Sequence, residues 1–254
     1  MEMRQRGFGG LSGFALKWIA MASMVADHFG SMVMDGVLAP YLKDGGLTIT
    51  GGEPFLVRYA PLIKELCGIV GSLAFPIFAF LAVEGFLHTR SQGRYGLRMG
   101  LFALISEIPF NLAHGRGLWY PALQNVLFTL CIGVFTLYAI QLARRRYEGK
   151  RILSAALTVL AALAGAGLAY WIRSEYVFLG VGTMALLYLL REKPGWRLAA
   201  FAPLGAVSPW ALLSIPLAAI YNGRRGRGIK YFFYVFYPAH LLLFAGLAEL
   251  LARR

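Results

Sequence analysis

Seven stretches of this chain, near 14–34, 66–87, 95–113, 123–143, 152–172, 177–190 and 231–251, are apolar runs of helical length, and short basic clusters separate them. About twenty apolar residues carry a helix across a bilayer, and lipid offers no partner to an open backbone N–H or C=O, so only helices or closed barrels span it. The runs are too long for barrel strands. They predict an all-α, polytopic integral membrane helix bundle of about 8 to 9 transmembrane or re-entrant helices, with residues 1–254 as a single membrane domain. At 58% hydrophobic and 15% charged residues, the chain is too apolar for a soluble domain of its length.

The formal charge of +13 does not point to nucleic acid, because the basic residues sit in clusters between apolar runs, as cytoplasmic loops do under the positive-inside rule. The two cysteines, Cys67 and Cys131, lie within apolar runs and read as buried thiols rather than as a disulfide or a zinc site. Arg4, Arg6 and Lys17 give the first run the look of a secretory signal. Asp27 and His28 interrupt it, however, and no small-residue cleavage pattern follows. The amino terminus is expected to stay cytoplasmic in a multi-pass protein of the inner (cytoplasmic) membrane.

The segment 196–221 contains Pro203, Gly205, Pro209 and Pro216, each unfavourable to a helix. Basic clusters flank it, Arg191, Lys193 and Arg197 before and Arg224, Arg225, Arg227 and Lys230 after. If both are cytoplasmic, the segment crosses an even number of times, as two short helices or a re-entrant hairpin broken near Ser208-Pro209. A single kinked span is the alternative. The stretch 35–61 is expected to be an outer loop.

Ionisable groups at bilayer depth cost roughly 2.5 to 3.5 kcal/mol on insertion scales and are functional-site candidates by default. Lys17 and His28 are eleven residues apart, close to three helical turns, so they project from one face about 16 Å apart along the axis. That separation suits an extended cofactor with a phosphate at one end, whereas on spacing alone a snorkelling lysine with an unrelated polar group is the favoured reading. Asp27 points away from His28 and is expected to meet another helix. Glu84 and His88 share a face, with Gly85 permitting close helix approach; they form a proton-exchanging site or a structural pair. Arg94 and Arg98 can hold a phosphate or anchor the membrane interface.

Glu107 stands at bilayer depth two residues before Pro109, a setting that favours function. Gln124, Asn125 and Thr129 read as interhelical glue, Arg173 and Glu175 as an outer-turn ion pair, and Tyr237 and His240 as the end of an aromatic belt leading to a buried histidine. There is no metal motif, phosphate-binding glycine loop or hydrolase nucleophile elbow.

Asp27-His28, the run 75–90 with its Phe-Pro-Ile-Phe-Ala-Phe and Glu-Gly-Phe, Ser106 to Asn111, Gln124 to Thr129, Tyr221-Asn222-Gly223 and Tyr234 to His240 together resemble the TraX family over nearly the whole chain. Its founding members are linked to N-terminal acetylation of conjugative pilin. The resemblance therefore implies a membrane acetyltransferase using acetyl-CoA as co-substrate, with no metal. A more distant likeness is to the type-3 membrane acyltransferases, which have a basic residue eleven positions before a first-span histidine, as Lys17 precedes His28 here. Where they carry Ser-Gly-Phe, this chain has Glu84-Gly85-Phe86.

The resulting expectation is acyl transfer to an amine or hydroxyl of an acceptor reaching the site from the membrane or outer side. His28 is the general base, Glu84 or Glu107 orients it or holds the acceptor, and Lys17, Arg94 and Arg98 hold coenzyme A phosphates. Gln124 and Asn125 donate to the thioester oxyanion. Asp27, His88, Tyr237 and His240 line the substrate or support the site. A small proton-coupled transporter and a non-catalytic assembly partner are the alternatives.

Overall fold

The computed structural model describes residues 9–43, 46–47, 53–227 and 230–253. Arg4 and Arg6, on which the expected orientation of the amino terminus leans, lie outside the described residues.

Helix α1, Gly13–His28, starts at Ser12, whose hydroxyl accepts from Ala15 N at 3.2 Å and so satisfies one of the open N–H groups of the first turn. The helix does not end at His28. It loosens into a π turn, Phe29–Val33, and continues as α2, Met34–Leu38. Single π turns inside helices concentrate at functional sites, and this one directly follows the histidine.

The stretch after Asp35 is more helical than the expected outer loop. After a 3-10 turn, Ala39–Tyr41, and a two-residue pairing of Leu42–Lys43 with Gly46–Leu47, α3 already begins at Phe55 and runs to Gly71. The predicted span 66–87 thus starts too late: Phe55–His88 is one apolar stretch, broken only between Gly71 and Ala74. The break has a cause on each side. Ser23 of α1 donates to Val70 O, Ser72 Oγ turns back to Gly68 O at 2.9 Å, and a Cβ on Gly71 would collide with the Asp27 side chain. Asp27 therefore meets another helix, as its position opposite His28 implied.

Helix α4, Ala74–His88, is buried almost all round, as a helix without a polar stripe must be. Phe75, Ile77, Phe80, Val83 and Phe86 form the main core with Leu16 and Ala20 of α1. Around it stand α5, Gln92–Ala113; α6, Val126–Arg146; α7, Arg151–Trp171; and α8, Val177–Leu189. Gly85 admits the Tyr95 ring of α5, confirming the close approach read from its missing Cβ. The only buried residues of α7 are Gly165 and Ala169, so it lies outermost. A second core joins α2 and α3 to the final helix through Val37, Val57, Tyr237, Leu241 and Phe244.

The proline-rich segment breaks where expected. Two short helices, α9 at Pro194–Ala199 and α10 at Ala202–Gly205, lead to an extended Ser208. A 3-10 turn, Pro209–Leu213, and α11, Ser214–Ala219, then return. The arms fold against each other, Gly205 against Leu212, and the tip is tied to the α3–α4 break by Ser72 Oγ to Ser208 Oγ at 2.9 Å. Beyond it, Leu11 N donates to Ile220 O at 2.9 Å and Gly13 N to Arg224 O at 2.8 Å, bringing the second basic cluster back to the start of α1. The last helix, α12, spans Lys230–Ala252.

Among the described residues, four stretches are long and apolar enough to cross a membrane: Phe55–His88, Val126–Arg146, Arg151–Trp171 and Tyr231–Ala252. The other expected crossings, α1, α5 and α8, are helical but shorter or interrupted by charge. The chain is an all-helical membrane protein.

Candidate functional site

Helix α12 is the rail on which the predicted residues meet. Lys17 Nζ lies 5.5 Å from the centre of the Phe233 ring, and Arg98 reaches Tyr234. Seven residues on, roughly 10 Å along the axis, His240 meets His28. Lys17 and His28 thus face the same neighbour, as the eleven-residue spacing requires. Arg225 bears electrostatically on Lys17, and the buried Arg98 Nε has no hydrogen-bond partner among the described residues. Arg94 is exposed on the first turn of α5 and does not join them.

His28 is 9% exposed and His240 5% exposed. Their nitrogens, His28 Nδ1 and His240 Nε2, are 2.6 Å apart, with ring centroids 4.9 Å apart and planes 7° apart. A ring nitrogen lies roughly 1.2 Å from the centre of an imidazole, so these distances place the rings end to end in one plane, the alignment a hydrogen bond wants. His240 Nδ1 in turn donates to Phe236 O at 2.9 Å, one helical turn back. The expected orienting carboxylates are elsewhere.

Glu84 is committed to Arg197. The two form a buried ion pair across from α4 to α9, with the guanidinium also 4.7 Å above the Phe80 ring. His88, whose side chain is 70% exposed, bonds its own helix through Nδ1 to Glu84 O at 2.8 Å and lies 4.0 Å from the Glu84 carboxylate. The carboxylate that was expected near His28 thus holds the entrance of the hairpin at the basic end of the bundle.

Glu107 serves the start of α6. Its Oε2 accepts from Asn125 Nδ2 at 2.6 Å and from Asn125 N at 3.3 Å. The other Asn125 amide hydrogen goes to Ala103 O at 2.8 Å, and Asn125 Oδ1 caps Leu127 N at 3.1 Å. Both side-chain donors are taken up by Ala103 O and Glu107, and Asn125 stands as the N-cap of α6. Gln124 works through its backbone, exchanging 2.9 and 3.0 Å bonds with Arg173 O and Glu175 N.

Glu175 is the residue the sequence undersold. Ion pairs among the described residues do not include Arg173–Glu175. Arg173 is exposed, while Glu175 turns inward to accept from Val126 N at the positive end of α6. Burial pushes its carboxyl up to about 7, and the Asp27 charge adds to that effect. The turn that achieves this is strained: Arg173, Tyr176 and Val177 have φ of 56°, 58° and 42°, and Val177 is β-branched. Thr129 holds the turn by donating to Glu175 O. The available signal was a five-residue connection between apolar helices with a carboxylate and no Gly, Pro, Asn or Asp.

Around this helix start, Glu107 Oε1, both amide atoms of Asn111 and Tyr237 Oη are buried with no well-aligned hydrogen bond among the described residues, although the Asn111 amide approaches Glu107 and the Tyr237 hydroxyl faces Val126 N. Glu107 and Glu175 both bear on Tyr237, whose ring centre is 6.4 Å from that of His28. The result is a buried polar cluster beside the histidine pair, made of carboxyl, amide and phenol groups. Buried groups in this state are sites for a polar ligand or water. No group of metal-ligating side chains occurs among the described residues.

A family model described as TraX protein matches residues 12–248. The chain is also similar to the Probable fimbrial assembly protein FimC, serogroup H1, of Dichelobacter nodosus, at 29% identity over 253 residues, 91% of this chain and 93% of that protein. No solved structure matches.

Proposed function

The chain belongs to the TraX family, and from that premise we propose that it is an inner-membrane acetyltransferase acting beside fimbrial or pilin assembly. The observation that carries the proposal is the line along α12, with cationic groups at one end, the histidine pair in the middle and a buried polar cluster beside it.

Lys17, Arg98 and Arg225 suit the phosphates of acetyl-CoA. They gather positive charge, and the unpartnered Arg98 Nε is a donor that an anionic oxygen would satisfy. Acetyl-CoA supplies an activated acetyl thioester. The clustered residues Glu107, Asn111, Tyr237 and Glu175 hold the acceptor, and His28 acts on it. His28 takes the proton released as the acceptor amine or hydroxyl bonds to the thioester carbon, then returns it to the sulfur as the carbon–sulfur bond breaks. A base positioned in this way contributes about 10²- to 10⁴-fold.

The test is transfer of radiolabelled acetyl from acetyl-CoA to amine- and hydroxyl-bearing peptides by the purified full-length protein in nanodiscs. His28→Ala should lose at least about 10²-fold of that transfer. Undiminished transfer by a folded His28→Ala protein would sink the assignment.

A further inference from the structure

We infer that His240 is a positioning residue that sets the tautomer of His28, leaving His28 Nε2 as the unprotonated nitrogen that receives the acceptor's proton. The inference rests on the acyl-transfer role proposed for His28.

The chain of bonds has one end that cannot vary. Phe236 O is a carbonyl and only accepts, so His240 Nδ1, 2.9 Å away, carries the hydrogen. A neutral imidazole has one N–H, hence His240 Nε2 presents a lone pair. His28 Nδ1 lies 2.6 Å from that lone pair with the two rings end to end in one plane, so His28 Nδ1 must be the donor. Its own single hydrogen is thereby placed, and the basic nitrogen is Nε2.

The ring that does the setting is itself held. His240 lies parallel to the Phe236 ring at 5.0 Å between centroids, meets the Phe244 ring edge-on at 5.9 Å, and has the Tyr237 ring at 5.7 Å. The arrangement does for His28 what a carboxylate does for the base of a serine-protease triad, with a neutral acceptor in place of the charged one. When His28 becomes imidazolium, its Nδ1–H bond to His240 is charge-assisted and strengthens, so the acceptor favours the proton's arrival as well as its direction.

The experiment compares wild type, His28→Ala, His240→Phe and His240→Gln, each full length in nanodiscs. It reads the ¹⁵N imidazole shifts of His28 together with kcat and KM for acetyl transfer. In the wild type the shifts should report His28 with hydrogen on Nδ1. His240→Phe keeps an aromatic ring between Phe236 and His28 but removes the acceptor. It should mix the two His28 tautomers and lower kcat by about 10²-fold with KM for acetyl-CoA unchanged, within the range that general-base placement supplies. His240→Gln returns an accepting oxygen and should recover much of kcat.

A wild-type His28 with hydrogen on Nε2 overturns the inference whatever the variants do. So does wild-type kcat in His240→Phe when His28→Ala is inactive. Full transfer by His28→Ala instead removes the catalytic reading on which the inference rests, and the shifts tell the two failures apart.

Discussion

Replacing Glu84 with alanine leaves a guanidinium where the fold has already taken away its water. The Glu84 side chain is 10% exposed and that of Arg197 12%; Arg197 pairs through Nη2, and its buried Nε has no hydrogen-bond partner among the described residues. Breaking a buried pair by removing one member costs about 3 to 5 kcal/mol, because the survivor is a desolvated charge. The ring of Phe80, 4.7 Å from Arg197, still attracts the cation, but that contact is present before and after the change and does not offset the loss. For a domain of this size each kcal/mol moves the midpoint by roughly 2 to 4 °C, so Glu84→Ala should unfold roughly 6 to 20 °C earlier. Trp196 and Trp210, both carried by the hairpin, make its fluorescence the assay. The double change Glu84→Leu with Arg197→Met removes both charges and should restore most of the stability, since apolar replacement of a buried pair is often neutral or better. It should also restore acetyl transfer. A double variant no more stable than Glu84→Ala would refute the clamp. One that is stable but inactive would return Glu84 to the catalytic role its sequence context suggested.

Glu175 should make stability depend on pH near neutrality. Its folded pKa of about 7 exceeds the ordinary 4.5, so its contribution is fully present below pH 4.5 and is lost as pH rises through 7. Midpoints measured from pH 4.5 to 8 should fall in the wild type and flatten in Glu175→Gln; parallel curves would contradict the inward carboxyl. Asn125→Ala removes the cap on Leu127 N and leaves Glu107 Oε2 only the 3.3 Å bond from the backbone N–H of residue 125, for about 1 to 3 kcal/mol in all. Lost transfer at unchanged stability would show that Asn125 donates to the reaction after all.

Several features of the site were legible before the fold was known because each follows from chain-local geometry. Eleven residues of helix align Lys17 with His28 whatever stands opposite, and both do meet α12. The missing Cβ of Gly85 invites a neighbour, which is Tyr95. Prolines at 203, 209 and 216 make a straight span unfavourable, and the chain does turn at Ser208. Glu175 was misread for the converse reason. Proximity to Arg173 in sequence implied an ion pair, but strained backbone at Arg173, Tyr176 and Val177 sends the two side chains apart.

Apolar run lengths and the spacing of charge determine, without any tertiary information, that this chain is a helical membrane protein and that its buried ionisable groups need partners. Which partner each one finds is a matter of tertiary structure alone. Glu84 meets Arg197 across 113 positions and His28 meets His240 across 212. No periodicity reaches that far, because pairing between helices is set by how the bundle packs, and burial then makes the pairs it creates too costly to break.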